Sequence, residues 1–416
     1  MRVAYVCADA GIPVFGTKGA SVHVQAILRA FVRRGDRVDL YAARIGGDVP
    51  AGFRTIGIHP LQSRPNARRL EANAADAHLI DELVAATLAE QIRSYDLVYE
   101  RHSLWSSSAM RLARVRDVPA ILEINAPLVE EQLTHRRLLD PDRARAIVGK
   151  ALEAAKLRVA VSEEVARRHA DFGFSLDDFL ICPNGVDPER FAIRSGLEVS
   201  TGEGGASDRR PPRADSFTVG FLGTLKPWHG LDVLLDAFAR LAGIDPGYRL
   251  LIVGDGPMRE ALETRLDREG LRDRAELTGA VDPAEVPRWL ARMDVGTAPY
   301  ARNEGHYFSP LKIVEYQAAG LPVVASGAGQ VRDLVRDGID GWLVAPGDAR
   351  TLADRVARLR ADPDGARTMG SRGREHVLAT RTWDAVLARI LDALRETIRP
   401  ETVNRGPSRR AEIGNG

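Results

Sequence analysis

The sequence predicts an α/β protein made of two doubly wound, Rossmann-like domains. Three observations carry this expectation. At 416 residues the chain is long for one hydrophobic core. Short apolar runs alternate with longer stretches of helical period, the pattern of a parallel sheet with helices on both faces. The alternation breaks once, over 194–216, and then restarts. That segment holds Gly202, Gly204, Gly205, Ser207, Pro211 and Pro212 with almost no large apolar residue, so it reads as a flexible linker or insertion.

In the first domain, expected over 1–193, strands read over 2–8, 38–42, 97–100, 120–124 and 159–161. A helix over 20–34 places Val24, Ile27, Leu28 and Phe31 on one face and closes at Gly35. The second domain, expected over 217–381, has strands over 217–223, 249–254, 275–278, 295–298, 322–325 and 342–345. Helical patterns intervene over 231–241, 258–268, 284–292 and 352–360. A further helix fills 382–398, and the polar tail over 399–416 reads as disordered. The strings Asp140-Pro141-Asp142 and Asp362-Pro363-Asp364 read as helix starts, where Asp and Pro are favoured.

Composition narrows the function classes. A formal charge of +1 implies no large polyelectrolyte partner, so no nucleic acid is expected. The two cysteines, Cys7 and Cys182, sit in or beside apolar runs and read as buried free thiols. Residues 2–7 read as a core strand and lack a signal-peptide pattern. No apolar run is long enough to span a bilayer. A cytoplasmic location is expected, with peripheral contact at the inner face of the plasma membrane left open. The basic clusters Arg64, Arg68, Arg69 and His135, Arg136, Arg137, Arg143, Arg145 are interleaved with Glu130, Glu131, Asp140 and Asp142, and read as a solvated face.

The most informative stretch is 309–326. Ser309 suits an N-cap and Pro310 the first helical position, and the helix stops at Gly320-Leu321-Pro322. The N–H groups of Leu311 and Lys312 then form an anion site to which Lys312 adds a positive charge. Glu315 follows about one turn later. Amides that hold a phosphate, with a carboxylate behind them to accept bonds from ring hydroxyls, suit a phosphate attached to a sugar ring. Gly254 and Gly256 lack the third glycine of a dinucleotide fingerprint, so no nicotinamide cofactor is expected.

Read in order, the motifs resemble a known family. Gly16-Thr17-Lys18-Gly19-Ala20-Ser21, Val161-Ser162-Glu163-Glu164, Asn184-Gly185-Val186-Asp187, the loop from Gly223 to Gly230 and Val253-Gly254-Asp255-Gly256-Pro257 accompany the 309–326 stretch. Six landmarks in register resemble the retaining, family-four glycosyltransferases of the GT-B fold. That resemblance implies two domains facing across a cleft and a C-terminal helix crossing back to the first. It also implies a nucleoside diphosphate sugar as a substrate, no cofactor and no catalytic metal.

Carried over residue by residue, the resemblance assigns Glu315 to the ribose hydroxyls. Ser309, Pro310, Leu311 and Lys312 fall to the diphosphate, with Gly223, Thr224, His229, Gly254, Gly256, Gly279, Ala280 and Val281 lining the donor. Many relatives carry an arginine and a lysine at the places of Thr224 and His229; Lys226 is expected to stabilise the leaving group instead. His229 reads equally as a capping or packing histidine. An earlier family glutamate is replaced by Tyr307, an acceptor-side candidate. A subset reading FSPLK…EY also lacks that glutamate. Glu304 reads as a displaced substitute for it or as a solvated loop charge. In the first domain, Gly16 and Gly19 read as close approach to the donor or as a flexible loop. Asn125 stands where relatives show a histidine near the reacting sugar; it hydrogen-bonds but cannot act as a base. His102 and Arg101 read as acceptor-side groups, or as a structural histidine and a solvated arginine.

The expected activity is transfer of a hexose-type sugar, with retention, from a UDP or GDP sugar to a hydroxyl acceptor in glycan, glycolipid or surface polysaccharide synthesis. The alternatives are a nucleotide-sugar epimerase of similar fold and a non-catalytic nucleotide-sugar-binding partner.

Overall fold

The computed structural model describes residues 1–61, 74–135, 138–194, 215–302, 307 and 309–399. The 195–214 part of the expected linker, Glu304, the tail from 400 and Arg64, Arg68, Arg69, Arg136 and Arg137 lie outside the described residues.

Two parallel sheets form. The first contains β1 (Arg2–Cys7), β2 (Arg37–Ala42), β3 (Gly57–Pro60), β4 (Leu97–Arg101), β5 (Ala120–Ile124), β6 (Leu157–Ala160) and β7 (Phe179–Ile181), in the order β3-β2-β1-β4-β5-β6-β7. The second contains β8 (Phe217–Leu222), β9 (Tyr248–Val253), β10 (Ala275–Leu277), β11 (Val295–Ala298), β12 (Val323–Ser326) and β13 (Gly341–Val344), in the order β10-β9-β8-β11-β12-β13. Strand order reverses between β1 and β4 and again between β8 and β11. At such reversals successive crossovers go to opposite faces and leave a crevice beyond the carboxyl ends of the strands. β3 and β7, which the apolar pattern does not announce, are the outer strands of the first sheet.

Each sheet is buried on both faces, so its strands read as continuous apolar runs. Val24, Ile27, Leu28 and Phe31 of the helix Gly19–Arg33 pack on β1, β2 and β4 through Tyr5, Leu40 and Tyr99. Asp140 and Asp362 do cap helices: their side chains accept the Arg143 and Gly365 amides. Both cysteines are free and buried.

The helix Trp383–Ile398 packs against the first sheet rather than the second. Trp383, Val386, Leu387, Ile390, Leu391 and Leu394 are buried in one cluster with Val24, Ile27, Leu28 and Cys182. Six such side chains contribute on the order of 10 kcal/mol of gross burial free energy. The chain enters this helix beside the segment that leaves the first domain: Val186 N–H donates to Arg381 O at 2.8 Å and Trp383 N–H to Val186 O at 3.1 Å. Among the described residues no helix is long and apolar enough to cross a membrane.

Candidate active site

The helix Leu311–Ala318 lies between β11 and β12 in the chain, and its start meets segments of both domains. Its first residue comes one later than expected. Pro310 is the N-cap and Ser309 does not cap it. A long-range interaction takes the place of the local one: the Ser309 hydroxyl accepts the Asn184 amide at 3.1 Å, and the Ser309 carbonyl accepts Asn184 Nδ2 at 2.9 Å. The start of the helix is thereby fastened to the Asn184-Gly185-Val186-Asp187 segment of the first domain.

Lys312 does not project into solvent. Its Nζ is buried, finds no hydrogen-bond partner among the described residues, and sits 4.0 Å from the Phe221 ring centroid. Burial pushes this ammonium down to about 7, with Glu315 opposing the shift. The turn after β8 lies directly over it, since a Cβ on Gly223 would come within 3.2 Å of Nζ. Glu315 Oε1 is 3.5 Å from Arg190 Nη1. Burial raises the Glu315 carboxyl, while Arg190 and Lys312 pull it back down. Arg190, which also donates to Pro283 O, escapes the sequence reading. Its one signal is its place three residues beyond the Asn184–Asp187 landmark.

The turns after β8, β9 and β10 interlock. Gly254 has φ +137°, and a Cβ there would stand 2.1 Å from Gly223 O, so only glycine fits. Gly256 lies against the Leu225 backbone, and Leu225 N–H donates to Asp255 O at 3.0 Å. Gly279 bridges Gly254, with Ala280 exposed and Val281 half-buried beyond it. Within the first of these turns Thr224 is exposed, Lys226 Nζ rests 5.4 Å from the Trp228 centroid, and the His229 ring donates to Thr224 O. The His229 contact braces its own loop, the packing alternative for that residue.

From the opposite side, the glycine-rich loop approaches the same helix: a Cβ on Gly19 would lie 4.0 Å from Leu311 Cδ1, while Gly16 is held by Pro13 O at 2.9 Å. Asn125, just past β5, leaves a buried Nδ2 without a partner among the described residues. Arg101 at the end of β4 is not solvated: it is 9% exposed and leaves Nη1 unpartnered. His102 is also buried, with neither ring nitrogen hydrogen-bonded. It is not a satisfied structural histidine. Burial, then His169 and Arg101, lower its pKa to about 3. It opens onto a small pocket whose other walls include Pro127, Glu130, Arg145, Arg168 and His169.

Tyr307 belongs to the first domain's surface despite its place in the second domain's sequence. Its hydroxyl donates to Glu131, its carbonyl accepts Ser162 Oγ at 2.6 Å, and the Arg168 guanidinium lies 5.6 Å from its ring centroid. Lys312, Glu315, Gly19, Gly223, Gly254 and Gly279 thus gather around the helix start. Arg101, His102 and Asn125 form a separate group of unpartnered polar atoms at the ends of β4 and β5.

Residues 17–190 match the family model for Glycosyltransferase Family 4, and residues 216–362 match the one for Glycosyl transferases group 1. The chain belongs to the family 4 glycosyltransferases. A GDP-mannose-dependent alpha-(1-6)-phosphatidylinositol monomannoside mannosyltransferase of Mycobacterium tuberculosis is 34% identical over 216 residues, 51% of this chain and 54% of that protein. The match therefore spans about half the length of that relative. A D-inositol 3-phosphate glycosyltransferase of Xylanimonas cellulosilytica is 27% identical over 90% of each chain. Among solved structures, sucrose-phosphate synthase from Thermosynechococcus elongatus superposes with a TM-score of 0.71 at 21% identity, covering 95% of this chain and 98% of that one. Anabaena HepE, in complex with UDP and glucose, superposes with a TM-score of 0.66 at 21% identity, covering 95% and 99%. These likenesses show that this family member has the GT-B fold.

Proposed function

We propose that this chain is a retaining, metal-independent glycosyltransferase that moves a hexose-type sugar from a UDP or GDP sugar to a hydroxyl acceptor. The observation that carries the reading is the buried, unpartnered Lys312 ammonium at the start of a helix that holds Glu315 one turn later. A buried cation without a counter-ion is costly. A diphosphate at the helix N-terminus supplies that counter-ion and accepts the free amides of the first turn. Glu315 then accepts the ribose hydroxyls, and Gly223, Gly254 and Gly279 let backbone approach the nucleotide. The GDP-mannose dependence of one relative and the UDP bound to a structural neighbour support a nucleoside diphosphate donor.

Transfer proceeds by front-face displacement. The bond between the anomeric carbon and the phosphate oxygen breaks, the acceptor oxygen bonds to the same face, and the departing phosphate oxygen takes the acceptor proton. The protein's part is positioning and charge stabilisation, with Lys312, Lys226 and the helix amides facing the charge that develops on the diphosphate. Asn125 orients the sugar, and the group formed by Arg101 and His102 meets the acceptor. The acceptor belongs to glycan, glycolipid or surface polysaccharide synthesis, on the cytoplasmic side of the membrane. A thermal-shift panel of UDP, GDP and their hexose conjugates tests the reading. One nucleotide family should raise the melting temperature in a concentration-dependent way. Silence across the panel would refute it.

A further inference from the structure

The helix Gly19–Arg33 carries a buried histidine, His23, that the proposed chemistry does not use. It is 2% exposed and bridges two distant segments. Nε2 lies 2.8 Å from Glu123 Oε1 on β5, and Nδ1 lies 2.9 Å from Asn184 Oδ1. Both neighbours are acceptors. The Asn184 amide cannot be turned over, because its Nδ2 donates to the Ser309 carbonyl, so the atom facing the ring is an oxygen. At Glu123, burial alone would raise the carboxyl, and its neighbours, His23 first and then Arg101, bring it below the ordinary carboxylate value. The two contacts hold the ring between β5 and the Asn184 segment.

We infer that His23 is a positioning residue: through Asn184 it ties β5 of the first domain to Ser309, the residue that leads into the donor helix. Trp383 of the C-terminal helix meets the ring edge-on at 4.8 Å. The chain of contacts thus runs from Glu123 through His23 and Asn184 to Ser309.

The inference rests on the transferase reading only for its kinetic arm. In His23→Gln, amide hydrogen exchange of 309–313 is expected to accelerate at least tenfold while β8 and β9 exchange as before; unchanged protection at 309–313 would overturn the positioning role. With GDP-mannose and UDP-glucose as probes, hydrolysis kcat in the same variant should fall at least tenfold while Kd for GDP or UDP stays within threefold. An equal loss in both would make His23 a general stability residue and overturn the role. If the wild-type chain turns over neither probe, the transferase reading suffers, and the exchange rates still decide the inference.

Discussion

Lys312 makes donor binding depend on pH in a direction the structure determines. Burial holds its ammonium near pH 7 in the free protein, against 10.5 for an ordinary lysine. At pH 7 about half the molecules carry the charge, and at pH 9 about one in a hundred. A diphosphate on the helix start needs the charged form, so binding takes up a proton. The second ionisation of a terminal phosphate is centred near about 6, so the ligand's own charge is set by pH 8. Between pH 7 and 9 the Kd of GDP or UDP should therefore rise about fifty-fold, approaching 1.4 kcal/mol per pH unit at the alkaline end. Calorimetry in two buffers of different ionisation enthalpy should count about half a proton taken up at pH 7 and about one at pH 8.5. Lys312→Met should bind weakly and lose both the slope and the proton uptake. The same depression has a stability sign. In the free protein, the favourable contribution of this lowered pKa is full above 10.5 and lost as pH falls through about 7. Its loss is on the order of 5 kcal/mol, so Lys312→Met should melt higher than wild type at pH 6 and show less advantage at pH 9. A pH-independent Kd from 7 to 9, with no proton taken up, would refute the reasoning.

Glu315→Ala removes the acceptor for the ribose and leaves Arg190 without its carboxylate; nucleotide Kd should rise by about ten- to hundredfold, the loss of one or two charge-assisted bonds, and unchanged calorimetry would sink the assignment. Lys226→Ala should lower kcat more than it raises nucleotide Kd if its ammonium acts on the leaving group; equal losses would mean plain ground-state binding. Gly254→Ala drives a methyl into Gly223 O at a backbone angle only glycine adopts easily. It should cost about 2–4 kcal/mol in denaturant unfolding and displace the turn over Lys312; wild-type stability and nucleotide affinity together would show that the two turns are not interlocked as described.

Most of the second sheet was legible because strands buried on both faces are uninterrupted apolar runs. β3 and β7 were not. Gly57-Ile58-His59-Pro60 carries a polar ring and a proline, tolerated at a sheet edge, and Phe179–Ile181 is too short to show a period. The helix Pro363–Thr380 announces its start at Asp362 but hides its length behind Gly365, Gly370 and Gly373. Gly370 is there because a Cβ would strike Gly320 O at 2.1 Å, a packing requirement that helix propensity does not express. At the site, the local motif located Lys312 and Glu315, but not that Lys312 would be buried. Arg190, His23 and the true partner of Ser309 were invisible for one reason: each acts on a residue a hundred or more positions away.

The return of the helix Trp383–Ile398 to the first sheet sets an order on synthesis. The face formed by Val24, Ile27, Leu28 and Cys182 is made early, yet the side chains that cover it emerge only after the whole second domain. At synthesis rates of about 5–20 residues per second that interval is roughly 10–40 s. For that time the nascent first domain presents a greasy groove, open to chaperones and to neighbouring nascent chains. Its final closure waits for the helix Trp383–Ile398 to clear the ribosome.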